Sequence, residues 1–216
     1  MSKWSRWPAW LVFGMVAVAA HAADSGSAER GKEIAVTCVA CHQADGSGAN
    51  VPGGESWPRM AGLNADYLYK QLQSFKDGSR ESATMQAFAG MLNEQQMRDI
   101  SAYYAEMPPT PGKGGEEADD ATLALGEKLA TRGDWERYIP PCAGCHGPDN
   151  LGVGNSFPAI AGQNAGYIAD QIRAWQAQRR NNDPLNLMAA IAERMDDRQI
   201  EAVSAWLARQ PSSAQQ

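Results

Sequence analysis

Apolar residues recur along most of this chain at the three-to-four-residue spacing of an amphipathic helix. Between 66 and 77, Tyr67, Leu68, Gln71, Leu72 and Phe75 fall on one face, and between 93 and 106 Met97, Ile100 and Tyr104 do the same. About a hundred residues further on the pattern returns with Tyr167, Ile168, Ile172 and Trp175, and then with Ile200, Val203 and Leu207. Shorter apolar stretches, through Ile34 and through Leu125 and Leu129, predict one more helix ahead of each set. No alternating run rich in β-branched residues interrupts them, so the pattern predicts an all-α protein with three or four helices in each half.

The return is a duplication. Cys38-Val39-Ala40-Cys41-His42 is followed by Trp57-Pro58-Arg59-Met60-Ala61-Gly62, Tyr67 and Gln71. Cys142-Ala143-Gly144-Cys145-His146 is followed by Phe157-Pro158-Ala159-Ile160-Ala161-Gly162, Tyr167 and Gln171. From the proline to the glycine, tyrosine and glutamine the spacings are 4, 9 and 13 residues in both copies, too much agreement for chance. A Pro-, Gly- and charge-rich stretch from Met107 to Glu117 separates the copies and has nothing to bury, as in an interdomain linker.

At the N-terminus, Lys3 and Arg6 precede an apolar run from Pro8 to Ala20 and the small residues of Ala20-His21-Ala22, the marks of a secretory signal segment cleaved after Ala22. Its rival is an uncleaved anchor, for which the run is short of the roughly 20 residues a span needs. The predicted organisation is a signal peptide over 1–22, a first domain over 23–107, a linker over 108–120, a second domain over 121–210 and a tail over 211–216. Without Lys3 and Arg6 there are 17 Lys and Arg against 25 Asp and Glu, a formal charge of −8. That balance argues against nucleic-acid binding, and the absence of other long apolar runs excludes a polytopic membrane protein.

Processing also removes His21, leaving His42 and His146. Cysteines at i and i+3 of a helical turn project to one side, where both thiols reach the vinyl groups of one porphyrin, and the following histidine is placed over the ring to ligate iron. Two disulfides are a poorer account, because no thioredoxin-like βαβ pattern accompanies the CxxC pairs. A zinc ribbon needs its pairs roughly 15 to 20 residues apart, against about 100 here. Neither alternative explains a histidine after both pairs. Two covalent haem c groups are expected, and since each half is only about 90 residues, the buried porphyrin is also expected to complete its core.

With both histidines and all four cysteines committed, the sixth ligand has to be methionine, a weaker donor such as Lys, Tyr or Asn, or water. Aligning the last helices places Met85 and Met188 at equivalent positions, 43 and 42 residues after their histidines, and no other methionine pair coincides. Met60, Met97 and Met195 read as core, and Met91 stays an alternative ligand in the first domain. A thioether opposite imidazole favours ferrous iron and leaves no open coordination site, the design of an electron carrier with no catalytic residues.

These motifs, together with the closing helices ending Ser101-Ala102-Tyr103-Tyr104 and Ser204-Ala205-Trp206-Leu207, resemble the dihaem cytochromes c of the cytochrome c4 class, two fused class I cytochrome c domains. The approach to the second CxxCH, nine residues longer than the first, is also similar to that class. The resemblance implies that the carbonyls of Pro58 and Pro158 accept a hydrogen bond from the axial histidines. It further implies a periplasmic monomer, peripherally associated with the membrane, that passes electrons from a quinol:cytochrome c reductase towards a terminal oxidase. A haem subunit of a dehydrogenase or reductase complex is the alternative, and a dihaem peroxidase a more distant one. Two departures are the longer loop before Pro58, 16 residues against 12, and a short segment from Gly78 to Thr84 before Met85.

Overall fold

The computed structural model describes residues 25–213, so the predicted signal segment 1–22 and the last half of the predicted tail, 214–216, lie outside the described residues. The first half contains α1 (Ala28–Ile34), α2 (Val39–His42), α3 (Ala65–Asp77), α4 (Ala83–Met91) and α5 (Glu94–Glu106). The second contains α6 (Asp120–Thr131), α7 (Ala143–His146), α8 (Ala165–Gln176), α9 (Leu187–Ala192) and α10 (Asp197–Ala208). Among the described residues the only extended pairing is a few isolated bridges. Among the described residues each half has five α-helices where the periodicity predicts three or four. The excess is the single turn over each CxxCH, too short to show a hydrophobic period.

Helix starts follow local chemistry. Ser27, Asn64, Ser82 and Asp119 each accept a backbone N–H from the first turn of the helix they precede. Asn93 with Gln96 and Asp196 with Gln199 form reciprocal capping boxes at the two closing helices, α5 and α10. In each half the first and last helices cross at a glycine. A Cβ on Gly31 would stand 2.0 Å from the carbonyl oxygen of Asp99, and one on Gly126 would stand 2.2 Å from that of Ala202. Only hydrogen there lets the two backbones touch.

Apolar stripes from these helices build two cores. Leu63, Leu68, Ile100 and Tyr104 centre the first, and Leu129, Ile139, Ile168, Ile172, Ile200, Val203 and Leu207 the larger second. The nine extra residues before the second CxxCH form a turn around Trp135–Arg137 that inserts Ile139 into that core, while Trp135 and Tyr138 stay exposed.

The two halves meet over a polar seam. Arg59 is fully buried and donates to the carbonyls of Ala61 (2.6 Å), Gly162 (2.9 Å) and Ala161 (3.1 Å). The side chain of Gln163 bonds the backbone of Arg59 in both directions, and Asn164 donates to the carbonyls of Ser47 and Trp57. The connection between the halves is not the free tether its composition suggests. Lys113 exchanges hydrogen bonds with Asn164 and Ala165 through its backbone, and its ammonium reaches Ser47 Oγ and the Gly48 carbonyl. Backbone hydrogen bonds, which a Pro- and Gly-rich segment can still form, do what apolar burial does elsewhere.

Candidate functional site

Both CxxCH segments form one helical turn. His42 N–H donates to the Cys38 carbonyl (2.9 Å) and His146 N–H to that of Cys142 (2.8 Å), which keeps the two sulfurs and the imidazole of each motif on a common side. Both imidazoles are buried, and Nδ1 of His42 and of His146 lies 3.3 and 2.7 Å from the carbonyl oxygens of Pro58 and Pro158. A carbonyl only accepts, so Nδ1 carries the proton and Nε2 keeps its lone pair for a metal. Burial holds both imidazoles below their ordinary pKa, against the opposing pull of the carbonyl, which favours the neutral ligating form. Gly48 sustains this geometry. Its φ is +63°, its N–H donates to the His42 carbonyl, and a Cβ would come within 2.3 Å of the Pro58 oxygen.

A single cavity of about 980 Å³ runs through both halves. Cys38, Cys41, His42, Pro58 and Met85 line it in the first half, and Cys142, Cys145, His146, Pro158 and Met188 in the second. Its walls are mostly apolar, with Leu63, Leu68, Phe75 and Ile100 on one side and Leu129, Ile139, Ile168 and Ile172 on the other. Met91 is 72% exposed and does not reach the cavity, which removes it as a ligand candidate. Met97 is core, and Met60 and Met195 also touch the cavity wall, but their counterparts in the repeat are Ile160 and Leu92, which carry no donor.

Met85 and Met188 both sit in the first turn of a short helix, α4 and α9. Ser82 Oγ accepts the Met85 N–H (3.2 Å). In the second half Asp183 does this work: one carboxylate oxygen accepts the N–H groups of Met188 (2.8 Å) and Ala189 (3.2 Å), and the other accepts the Trp175 indole N–H (3.1 Å). The three additional residues there, Pro184 to Asn186, are taken up by a turn with left-handed Leu185 and Asn186. The short first-half segment thus delivers Met85 to the same cavity by a direct cap. Neither Ser82 nor Asp183 stood out in the sequence, although Ser-x-x-Met at a helix start and Asp-Pro before a turn are the signals that would have marked them.

Arg80 and Arg180 were also missed. Each is 5% exposed and lines the cavity, yet among the described residues neither forms an ion pair with a carboxylate. Arg180 is held below its ordinary pKa by burial and then by the charge of Arg80. Burial works to raise the Tyr67 phenol, but the charges of Arg180 and Arg80 outweigh it and hold the phenol below its usual range. An apolar cavity carrying two buried arginines that form no ion pair with a carboxylate among the described residues fits a flat apolar macrocycle with carboxylate tails.

The rival chemistries fit worse. Burial pushes the Cys142 thiol up to about 11 and raises Cys38 as well, the opposite of a reactive CxxC thiolate. Among the described residues no three His, Cys, Asp or Glu side chains converge on a point that could hold a metal ion by themselves.

Helical tandem halves closing on a shared apolar cavity, each presenting a CxxCH turn, define a dihaem c-type cytochrome. Comparison with known proteins agrees: residues 28–108 match the family model of cytochrome c, and residues 130–207 that of subunit III of cbb3-type cytochrome c oxidase. The chain is 47% identical to a thiosulfate dehydrogenase electron acceptor of Thiomonas intermedia, over 83% of this chain and 81% of that one. It is 35% identical to cytochrome c4 of Pseudomonas aeruginosa, over 91% and 94%. Reduced recombinant cytochrome c4 from Pseudomonas stutzeri superposes with a TM-score of 0.77 at 32% identity, over 87% of this chain and all of that one. A thiosulfate dehydrogenase from Marichromatium purpuratum superposes with a TM-score of 0.79 at 36% identity, and there this chain spans 41% of the longer protein.

The chain belongs to the cytochrome c4 family of dihaem cytochromes c. It is an electron carrier, not an enzyme, and binds two haem c groups covalently.

Proposed function

We propose that this cytochrome is the periplasmic electron acceptor of a thiosulfate dehydrogenase, relaying electrons onward to a terminal oxidase. The observation that carries the reading is the 47% identity, over most of both chains, to a protein with that acceptor role. The superposition on 41% of a thiosulfate dehydrogenase chain supports it. The likeness of the second half to an oxidase subunit is consistent with an oxidase as the onward partner. The 35% identity to cytochrome c4 favours a second reading, in which the donor is a quinol:cytochrome c reductase.

When bound, the haems supply two one-electron ferric/ferrous couples. The remaining work belongs to the chain. In our reading Cys38, Cys41, Cys142 and Cys145 anchor the groups, and His42 with Met85 and His146 with Met188 hold the irons. Pro58 and Pro158 orient the imidazoles through Nδ1, while Ser82 and Asp183 place the methionines. The soft, neutral thioethers favour ferrous iron and suit a protein that accepts electrons. We place the first domain at 23–107 and the second at 121–210, exported by the segment 1–22. No helix among the described residues is long and apolar enough to cross a membrane.

The test is to mix the oxidised protein anaerobically with a purified thiosulfate dehydrogenase and thiosulfate, and follow haem reduction by stopped flow. Rapid reduction of both haems, slowed by salt, is expected, because a protein of this acidity docks through charge. Slow reduction there, combined with fast reduction by a quinol:cytochrome c reductase, would select the second reading.

A further inference from the structure

Arg80 and Arg180 stand nine residues after Gln71 and Gln171, at equivalent points of the duplication. Their backbones pair antiparallel across the seam, with Glu81 N–H donating to the Arg179 carbonyl and Asn181 N–H to that of Ser79, each at 2.8 Å. The side chains then cross. Arg80 donates to Gln71 Oε1 of its own half (2.9 Å) and to Tyr167 Oη (2.5 Å) and Gln171 Oε1 (2.6 Å) of the other. Arg180 donates to Gln171 Oε1 of its own half (2.9 Å) and to Gln71 Oε1 (3.2 Å) and Tyr67 Oη (3.4 Å) of the first. The tyrosine and glutamine that mark the repeat in sequence are therefore the acceptors of the opposite half's arginine.

All these acceptors are formally neutral. Two guanidinium groups are buried together against the cavity, repel one another and lack a protein carboxylate among the described residues. Such an arrangement is costly unless anions complete it. The groups this cavity receives bring carboxylates of their own.

We infer that Arg80 and Arg180 are shared counter-cations for the carboxylate tails of both haems, and that each arginine, being anchored on both halves, sets the reduction potential of both. A fixed positive charge disfavours the extra charge of ferric iron, and in a poorly screened interior its reach extends past the nearer site. Either arginine therefore holds both potentials up. The inference rests on two haems occupying the cavity and is independent of the donor's identity.

The test is a spectroelectrochemical titration of the holoprotein with the two haems resolved. Arg80→Gln and Arg180→Gln should each lower both midpoint potentials, equivalent to a several-fold rise in the ferric-to-ferrous ratio at fixed potential. A tenfold rise would be 59 mV for one electron. Arg80→Lys should restore most of the potential, because it keeps the charge while losing the fork of hydrogen bonds.

Should the neutral variants fail to fold, Gln71→Glu decides. It is isosteric, retains the acceptor that both arginines use, and supplies an anion, so it too should lower both potentials. A shift confined to one haem overturns the shared role. Equal shifts in Arg80→Gln and Arg80→Lys overturn the electrostatic origin and leave a purely structural contact, and unchanged potentials overturn the inference altogether.

Discussion

The carboxylate of Asp183 accepts the backbone N–H of Met188 at 2.8 Å, so a residue five positions upstream determines where this methionine enters the cavity. Met188→Ala should lower the potential of the second haem, leave the first nearly unchanged, and open the second iron to added imidazole or cyanide. Asp183→Ala should keep the ligand but loosen it, weakening the sulfur-to-iron charge-transfer band of the ferric protein. Optical titration with and without exogenous ligand measures both effects. A Met188→Ala protein with the native spectrum would remove this methionine from the ligand set.

The glycine at each helix crossing makes a steric prediction. Gly126→Ala would force its methyl group against the Ala202 carbonyl, and Gly31→Ala would do the same against Asp99. Overpacking of this kind costs about 1–3 kcal/mol, more where the obstacle is backbone. Denaturant melts should show destabilisation by at least that amount. Wild-type stability in either variant would mean that the helices can separate freely.

Asp99 carries a pH signature. It accepts hydrogen bonds from Arg30 Nε and Nη2 at 2.8 Å each, from the Ser27 N–H at 2.7 Å and from the Gln95 amide at 3.0 Å, which together hold its carboxyl down to about 2. A carboxylate whose pKa falls on folding stabilises the native state above its unfolded pKa, near 4, and that contribution disappears as pH falls towards 2. With Arg30 half exposed and screened by water, about 1–2 kcal/mol is at stake. Asp99→Asn should be less stable than wild type at pH 7, and the gap should close between pH 4 and pH 2. A gap independent of pH would mean that charge is irrelevant there.

Arg59 staples the halves. Burial pulls its guanidinium down to about 10, so it remains cationic at neutral pH. Arg59→Ala would leave the carbonyls of Ala61, Ala161 and Gly162 without this donor inside the seam, at a cost of about 3–5 kcal/mol. Hydrogen exchange should accelerate at the paired backbone of Glu81 and Asn181, far along the seam. Unaltered protection at those amides would show that the two halves dock without the staple.

What was readable in the chain was periodic or duplicated. Helical stripes predict α3, α5, α8 and α10, and the equal spacings pair Met85 with Met188 and single out Tyr67, Gln71, Tyr167 and Gln171. The reason to expect haem is chemical, since two thiols and an imidazole within five residues can meet on one turn. What escaped the reading was neither periodic nor duplicated in kind. Ser82 and Asp183 perform one task with different residues, and Arg59 has Ala159 as its counterpart. Arg80 and Arg180 do share a register, but an arginine in a polar loop normally faces water.

The amino-acid sequence by itself determined the local facts: which segments coil, where the thiols and histidines fall, and which methionines share a register. Tertiary structure alone decided how the halves face each other. It turned a Pro- and Gly-rich connection into a pinned strap and brought two arginines from loops a hundred residues apart into one buried pair. The physical reason is range. Helix capping and turn geometry act within four or five residues, whereas the burial of a charge depends on every segment that excludes water from it.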